Sequence, residues 1–443
     1  MPQDVSFVER NSLQQCVIKF KFLSKRESRK KLLTGVVGPM LVVASSALFP
    51  VFADVSVYGV ADGSLDNIKA SGSKYNVPNT TPDKGARWRV TSNSSYIGFK
   101  SSTDLREGIQ GLVQYQQFVD MANQASSGGI FTTGSDTFVG LSFTNIGTVK
   151  LGRYSTALRQ LPGFVDLAPG AVGPQNNEAA INRTGLFTND DGNLQGFQTR
   201  LGRALGFESV FWNGFSLFAV YGAPANKAPS DSSVPIDDTT YSLGLRYVRG
   251  PMEMRVATET RKDKDLLNVA DGVVPTNKSR DTDTRAGIKY VFPSLTTLAL
   301  GYEKMELKDN TVIGANKADF KKSGWQLGMM QQIAAHDFYF QYGKANNFSC
   351  TNADGSSCNF GVLGTGNDSS GAKQYVLGYN YNFTKQYMFK AYFSRIKNDA
   401  RARYDFDNQG VGGNNPTTTG AGAGVGPGSS PTAFGVGVRY SFQ

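Results

Sequence analysis

The chain has 443 residues, 50 of them Gly, with 12% aromatic and only 19% charged residues and a formal net charge of +10. A single histidine, His336, is too little for a His-based metal centre or acid–base enzyme, and the aromatic content is too high for a disordered chain. A mean hydropathy of −0.31, with no apolar run beyond position 53 near the about 20 residues of a membrane helix, excludes a polytopic helical membrane protein and leaves an all-β chain.

The first 53 residues differ from the rest. Lys25 to Lys31 is basic, Leu32 to Phe52 is apolar and small, and Val51-Phe52-Ala53 ends in a small-x-Ala pattern. That order predicts a secretory signal removed after Ala53, leaving residues 54–443 as the mature domain. Gly35, Gly38, Pro39 and Pro50 make the stretch a poor permanent anchor. The leader is long, so residues 1–23 are either an extension of it or upstream of the true start. Removing eight Lys/Arg and three Asp/Glu with the leader leaves a net charge near +5. That balance gives no case for nucleic acid as a partner. Cys16 leaves as well, and Cys350 and Cys358 remain in a Gly/Ser/Asn-rich stretch. In an exported chain they read as a loop disulfide. With no His or third Cys nearby, neither a metal site nor any cofactor is expected.

The mature chain repeats one device. Segments of about ten residues alternate apolar with polar or Gly, as in Leu243-Gly244-Leu245-Arg246-Tyr247 and Val436-Gly437-Val438-Arg439-Tyr440. Sixteen such segments begin near Val55, Tyr96, Gly108, Thr137, Thr148, Thr199, Phe215, Tyr241, Met252, Arg285, Leu295, Gly324, Asp337, Gln374, Tyr387 and Phe434. Pro293-Ser294, Ala334-Ala335 and Thr384-Lys385 form tight turns, while 261–283, 346–372 and 397–431 form long polar loops. Lipid offers the backbone no hydrogen-bond partner, so a sheet that crosses it must close. Apolar-out and polar-in alternation, short turns on one side and long loops on the other predict a sixteen-stranded antiparallel transmembrane β-barrel with a wet lumen. Tyr247, Tyr290, Tyr302, Tyr342 and Tyr440 near strand ends suit the interface girdles. A secreted β-sandwich array would also alternate, but no domain boundary recurs at the spacing it needs.

Ordered motifs then become familiar. Asp54-Val55-Ser56-Val57-Tyr58-Gly59-Val60, Ser95-Tyr96-Ile97-Gly98-Phe99-Lys100 and Phe138-Val139-Gly140-Leu141-Ser142 are three of them. Ile146 to Arg153 and Tyr381-Asn382-Phe383-Thr384-Lys385 are two more. Together they resemble the general porins of Gram-negative outer membranes, in particular the trimeric β-proteobacterial type, over nearly all of residues 54–443. The resemblance implies short periplasmic turns, long extracellular loops, and a third loop, about Tyr154–Phe197, folded into the barrel. It implies a passive diffusion channel, a homotrimer in outer-membrane lipid, and assembly by the outer-membrane machinery through a C-terminal aromatic, here Phe442. Three departures stand out. Tyr96 and Asp136 occupy positions where the family commonly has Arg, and Gln443 follows Phe442.

Such a channel selects by width and field. Alternation turns Lys150, Arg246, Arg255, Lys289, Lys390 and Arg439 toward the lumen wall, with Asp62, Glu253, Glu259 and Glu303. The expected constriction comprises Lys100, Arg153, Tyr96 and Arg200 facing Asp166 and Glu178, with Asp190 and Asp191 as further acids. The balance predicts weak to moderate anion preference for ions and small hydrophilic solutes. Two alternatives stay open: a substrate-specific channel, for which Tyr96 leaves room, and a plugged barrel acting as an adhesin through its loops. No Ser-His-Asp set or Gly-Lys-Ser/Thr phosphate loop is present, so no enzyme is expected.

Overall fold

The computed structural model describes residues 54–74, 83–122, 131–170, 172–178, 197, 199–224, 237–266, 278–312, 316–359, 367–406, 410–411 and 425–443. The expected leader lies outside these. Sixteen barrel strands run in chain order. They are β1 (Asp54–Ser71), β2 (Lys84–Ser92 continued by Tyr96–Arg106), β3 (Ile109–Val119), and β4 (Phe131–Gly134 continued by Thr137–Phe143). Next come β5 (Gly147–Ser155), β6 (Arg200–Ser209), β7 (Phe215–Gly222), β8 (Thr240–Arg249), β9 (Met252–Lys262) and β10 (Arg280–Val291). The last are β11 (Thr296–Val312), β12 (Asn316–Ile333), β13 (His336–Ala345 continued by Ser349–Asn352), β14 (Ala372–Asn382), β15 (Tyr387–Asn398) and β16 (Ser430–Phe442). Each pairs antiparallel with the next, and β1 closes on β16 from Gly59 opposite Phe442 to Ser71 opposite Ser430.

Alternation decides the two faces. On β8, Ser242 and Gly244 are buried inside while Leu243 and Leu245 are 54% and 40% exposed to the outside. Leu298, Leu300, Leu377, Phe393 and Val438 extend the same outer apolar band, as a membrane-facing wall requires. Aromatic pairs rim it at both edges. Phe215–Tyr247, Tyr290–Phe292 and Tyr387–Tyr440 lie at the short-turn edge, and Tyr221–Tyr241 and Trp325–Tyr342 nearer the long loops. Phe442 belongs to the first edge, its ring beside Tyr440 and over Gly59.

Several strands start earlier than alternation indicates. β12 begins at Asn316 and β10 at Arg280. At about 3.3 Å per residue, an 18-residue β12 is about twice as tall as the apolar band. Its upper part stands in water on its outer side, so Lys317, Asp319 and Lys321 sit where lipid-facing positions would be apolar. The segment Lys84–Ser92 likewise pairs with β1 ahead of Tyr96, where alternation places the start of β2. His336 opens β13, where its Nδ1 lies 2.8 Å from Tyr379 Oη. Cys350 and Cys358 form a disulfide at the upper end of β13.

Candidate functional site: the lumen constriction

Loop 3 leaves β5 after Ser155 and turns into the barrel. The Leu158 amide donates to Ser242 Oγ on β8 at 3.3 Å, and Arg255 on β9 donates to the Gln160 carbonyl at 2.8 Å. The helical turn Pro162–Val165 then lays Phe164 and Val165 against the inner wall. The wall is cut back to receive it. Gly244, Gly287, Gly301, Gly328 and Gly343 lie on β8 and β10–β13, and a Cβ at any of them would stand 2.8 to 3.1 Å from a loop 3 atom. Van der Waals contact begins near 3.5 Å, so these five glycines form the track on which the loop lies.

Three buried glutamines fasten the return pass. Gln326, Gln341 and Gln374 on β12, β13 and β14 donate Nε2 to the carbonyls of Asn177 (2.8 Å), Gln175 (3.4 Å) and Asn176 (2.6 Å). Gln341 Oε1 also accepts from the Leu167 amide at 2.8 Å. At the far tip Gly170 approaches Asp62 and Arg439 at the seam of β1 and β16. The described residues of loop 3 therefore cover the wall from β8 to β14 and touch the seam, and they leave the arc from β1 to β6 open at their level.

The expected site residues divide accordingly. Tyr96 and Lys100 lie on the inward face of the open arc, Lys100 exposed and Tyr96 half-buried. Lys100 Nζ stands 5.4 Å over the Tyr58 ring and has no carboxylate partner among the described residues. Arg200 is on the same arc but ion-paired with Asp136 at 3.1 Å. Its guanidinium lies 5.1 Å from the Phe118 ring centroid. Arg153 lies within the field of Arg200. It is exposed, in register with Thr137, and its Nε donates to the Gly134 carbonyl at 2.9 Å. Tyr154, next in the chain, is the residue beside Lys150.

Asp166 and Glu178 do not face the opening. Asp166 is buried within loop 3, accepting from the amides of Ala168 and Asn177 at 2.9 and 3.3 Å. Glu178 is buried against the covered wall, within the field of Arg285. Asp190 and Asp191 lie outside the described residues. An acidic rim opposed to a basic wall is thus not formed by Asp166 and Glu178, because the first is turned into loop 3 itself and the second is buried against the covered wall.

The wall cations are inward as alternation requires, and five of the six are ion-paired, sharing three carboxylates so that positive charge stays in excess. Lys150 pairs with Glu208 at 2.9 Å. Arg246 and Arg255 share Glu253 at 2.6 and 2.7 Å. Lys390, fully buried, pairs with Asp62, which also holds Arg439 at 3.0 Å. Lys289 lies 4.7 Å over Phe164 of loop 3. Glu259 and Glu303 are wholly buried, tied to Arg261 and Arg285 behind the loop. Sequence reading missed the glutamine clamp, the glycine track, and Tyr58 and Phe118. The glutamines and glycines did carry a signal, as inward polar or small positions on consecutive strands.

With that geometry in hand, comparison with known proteins gives a consistent answer. The family model described as Gram-negative porin matches residues 40–401. The major outer membrane protein P.IA of Neisseria meningitidis serogroup C is 30% identical over 177 residues, covering 37% of this chain and 40% of that protein. The chain therefore aligns with less than half the length of the curated relatives it matches. An anion-selective porin from Comamonas acidovorans superposes with a TM-score of 0.63 at 17% identity, over 88% of this chain and all of that one. The trimer form of OmpT from Vibrio cholerae superposes at 0.53 and 13% identity, over 88% and 99%. The closed sixteen-stranded barrel, its outer apolar band and the family match place the protein in the bacterial outer membrane, and the chain belongs to the Gram-negative porin family.

Proposed function

We propose that this chain forms a passive, water-filled diffusion channel for ions and small hydrophilic solutes, with a weak to moderate preference for anions and no catalytic role. One observation carries the selectivity. The open arc of the constriction presents the exposed Lys100, which has no carboxylate partner among the described residues, while Asp166 and Glu178 are buried on the covered side. A narrow lumen with low-dielectric walls focuses the field of that charge on passing ions. The likeness to an anion-selective porin supports the same sign.

A homotrimer in outer-membrane lipid is part of the reading, supported by the likeness to a barrel that has a trimer form and by the closed cyclic symmetry common to such assemblies. Export by a signal within residues 1–53 and assembly through Phe442 complete it. The test is single-channel conductance in a planar bilayer, with the reversal potential under a KCl gradient. Steps in groups of three with a chloride-favouring potential support the proposal. A folded, heat-modifiable barrel that passes no current overturns it, and a potassium-favouring potential overturns the selectivity.

A further inference from the structure

An aqueous lumen has no need of aromatic side chains, yet on the open arc, besides Phe138 and Tyr154 around Lys150, a row of three lies on adjacent strands. Tyr58 of β1, Tyr96 of β2 and Phe118 of β3 all face inward and are half-buried. Tyr58 and Tyr96 meet edge-on at 6.1 Å, and Tyr96 is in register with Phe118. A cation closes each end of the row: Lys100 over Tyr58 at 5.4 Å and Arg200 over Phe118 at 5.1 Å. The row is also held in place. Tyr58 donates its hydroxyl to Gln116 Oε1 at 3.1 Å, and Gln116 Nε2 donates to Ser135 Oγ at 2.8 Å.

The described residues of loop 3 pack against the other side of the lumen, and Tyr58, Tyr96 and Phe118 each keep part of their surface accessible. A fixed aromatic surface favours a flat π-system. A cation at its edge favours an anion attached to that ring, and the unpaired Lys100 is the stronger of the two because Asp136 already neutralises Arg200.

We propose that Tyr58, Tyr96 and Lys100 form a weak binding site for small aromatic carboxylates at the constriction, the solute's ring lying on Tyr96 and its carboxylate on Lys100. This rests on the reading of the protein as a diffusion channel. Because residues on the open arc make the site, a bound solute would stand in the conduction path and reduce the ionic current.

The test is a titration of the KCl current through the full-length, bilayer-inserted protein with sodium benzoate, sodium cyclohexanecarboxylate and benzamide. The expected result is a saturable block by benzoate, half-complete at a concentration at least fivefold below that of either other probe. Tyr96→Leu should raise the benzoate value at least fivefold and abolish the preference over cyclohexanecarboxylate, and Lys100→Gln should abolish the preference over benzamide. Equal block by benzoate and cyclohexanecarboxylate overturns the ring contact. Equal block by benzoate and benzamide overturns the carboxylate contact. Undiminished KCl current at all concentrations overturns the site while leaving the channel standing, and absence of KCl current overturns both. The wild-type comparison decides the matter even if a variant does not fold.

Discussion

Reversing the charge at Lys100 is the most direct probe of the constriction. Nζ is exposed and lacks a carboxylate partner among the described residues, so its field reaches the ions without local cancellation. For an ion passing about 6 Å away in water, Coulomb's law gives about 0.7 kcal/mol. Screening over a Debye length of about 10 Å at 0.1 M salt reduces this to about 0.4 kcal/mol. Lys100→Glu changes the local charge by two, so chloride loses about 0.8 kcal/mol and potassium gains about the same. Their permeability ratio then moves by about 1.5 kcal/mol, or about tenfold toward potassium. The assay is the reversal potential across a KCl gradient, repeated at 1 M salt, where screening should remove most of the change. Lys304→Glu is the control: it makes the same charge change on the outer face, where Lys304 is 60% exposed, and should leave the potential where it is. If Lys100→Glu shifts the ratio by less than twofold at 0.1 M, or no more than Lys304→Glu does, the assignment of Lys100 to the constriction is wrong.

Other perturbations test the scaffold. Asp62→Asn leaves the buried Lys390 without its counter-charge and should cost about 3–5 kcal/mol, seen as a lower heat-modification temperature on gels. Adding Lys390→Met should recover most of that loss, and no recovery would show that Asp62 acts otherwise than through the pair. Gln341→Leu combined with Gln374→Leu removes two of the three glutamines that fasten the return pass of loop 3. Single-channel records should show more open-state noise with the barrel still folded, whereas quiet traces would place the anchorage elsewhere. In the loops beside β8 and β9, burial raises the Asp238 carboxyl and lowers the Lys264 ammonium despite their ion pair. A carboxyl raised on folding binds protons more tightly in the native state, so its contribution falls as pH rises from its ordinary value of 3.8 through the raised one. Replacing the pair together by Asn and Met should be neutral or stabilising, and each replacement alone destabilising, read from protease nicking of this region between pH 4 and 7. Cys350→Ser with Cys358→Ser should speed proteolysis within 350–358 and leave barrel melting unchanged, since the bridge closes a loop within a single hairpin end. A lower melting temperature would show that the bridge supports the barrel.

Strand number, the lipid-facing side and the turns were readable from local order alone. A period of two fixes which residues share a face, and lipid tolerates only one arrangement of those faces. Leu243 and Leu245 outside with Ser242 and Gly244 inside need no knowledge of any other strand. The upper ends of β10 and β12 escaped because water replaces lipid there, and the outer face no longer has to be apolar. Orientation toward the lumen was equally legible for Lys100, Lys150 and Lys390, but their electrostatic fates were not. Lys390 is buried by Asp62 of β1, more than 300 positions away in the chain, Lys150 is balanced by Glu208 of β6, and Lys100 has no such neighbour among the described residues. Asp166 and Glu178 look like aperture acids in a polar loop, yet the path of that loop buries both. Alternation determined which side of the sheet a charge lies on. Whether the charge is felt by a passing ion depends on what the closed barrel and loop 3 bring within a few ångströms of it, and only the tertiary structure decides that.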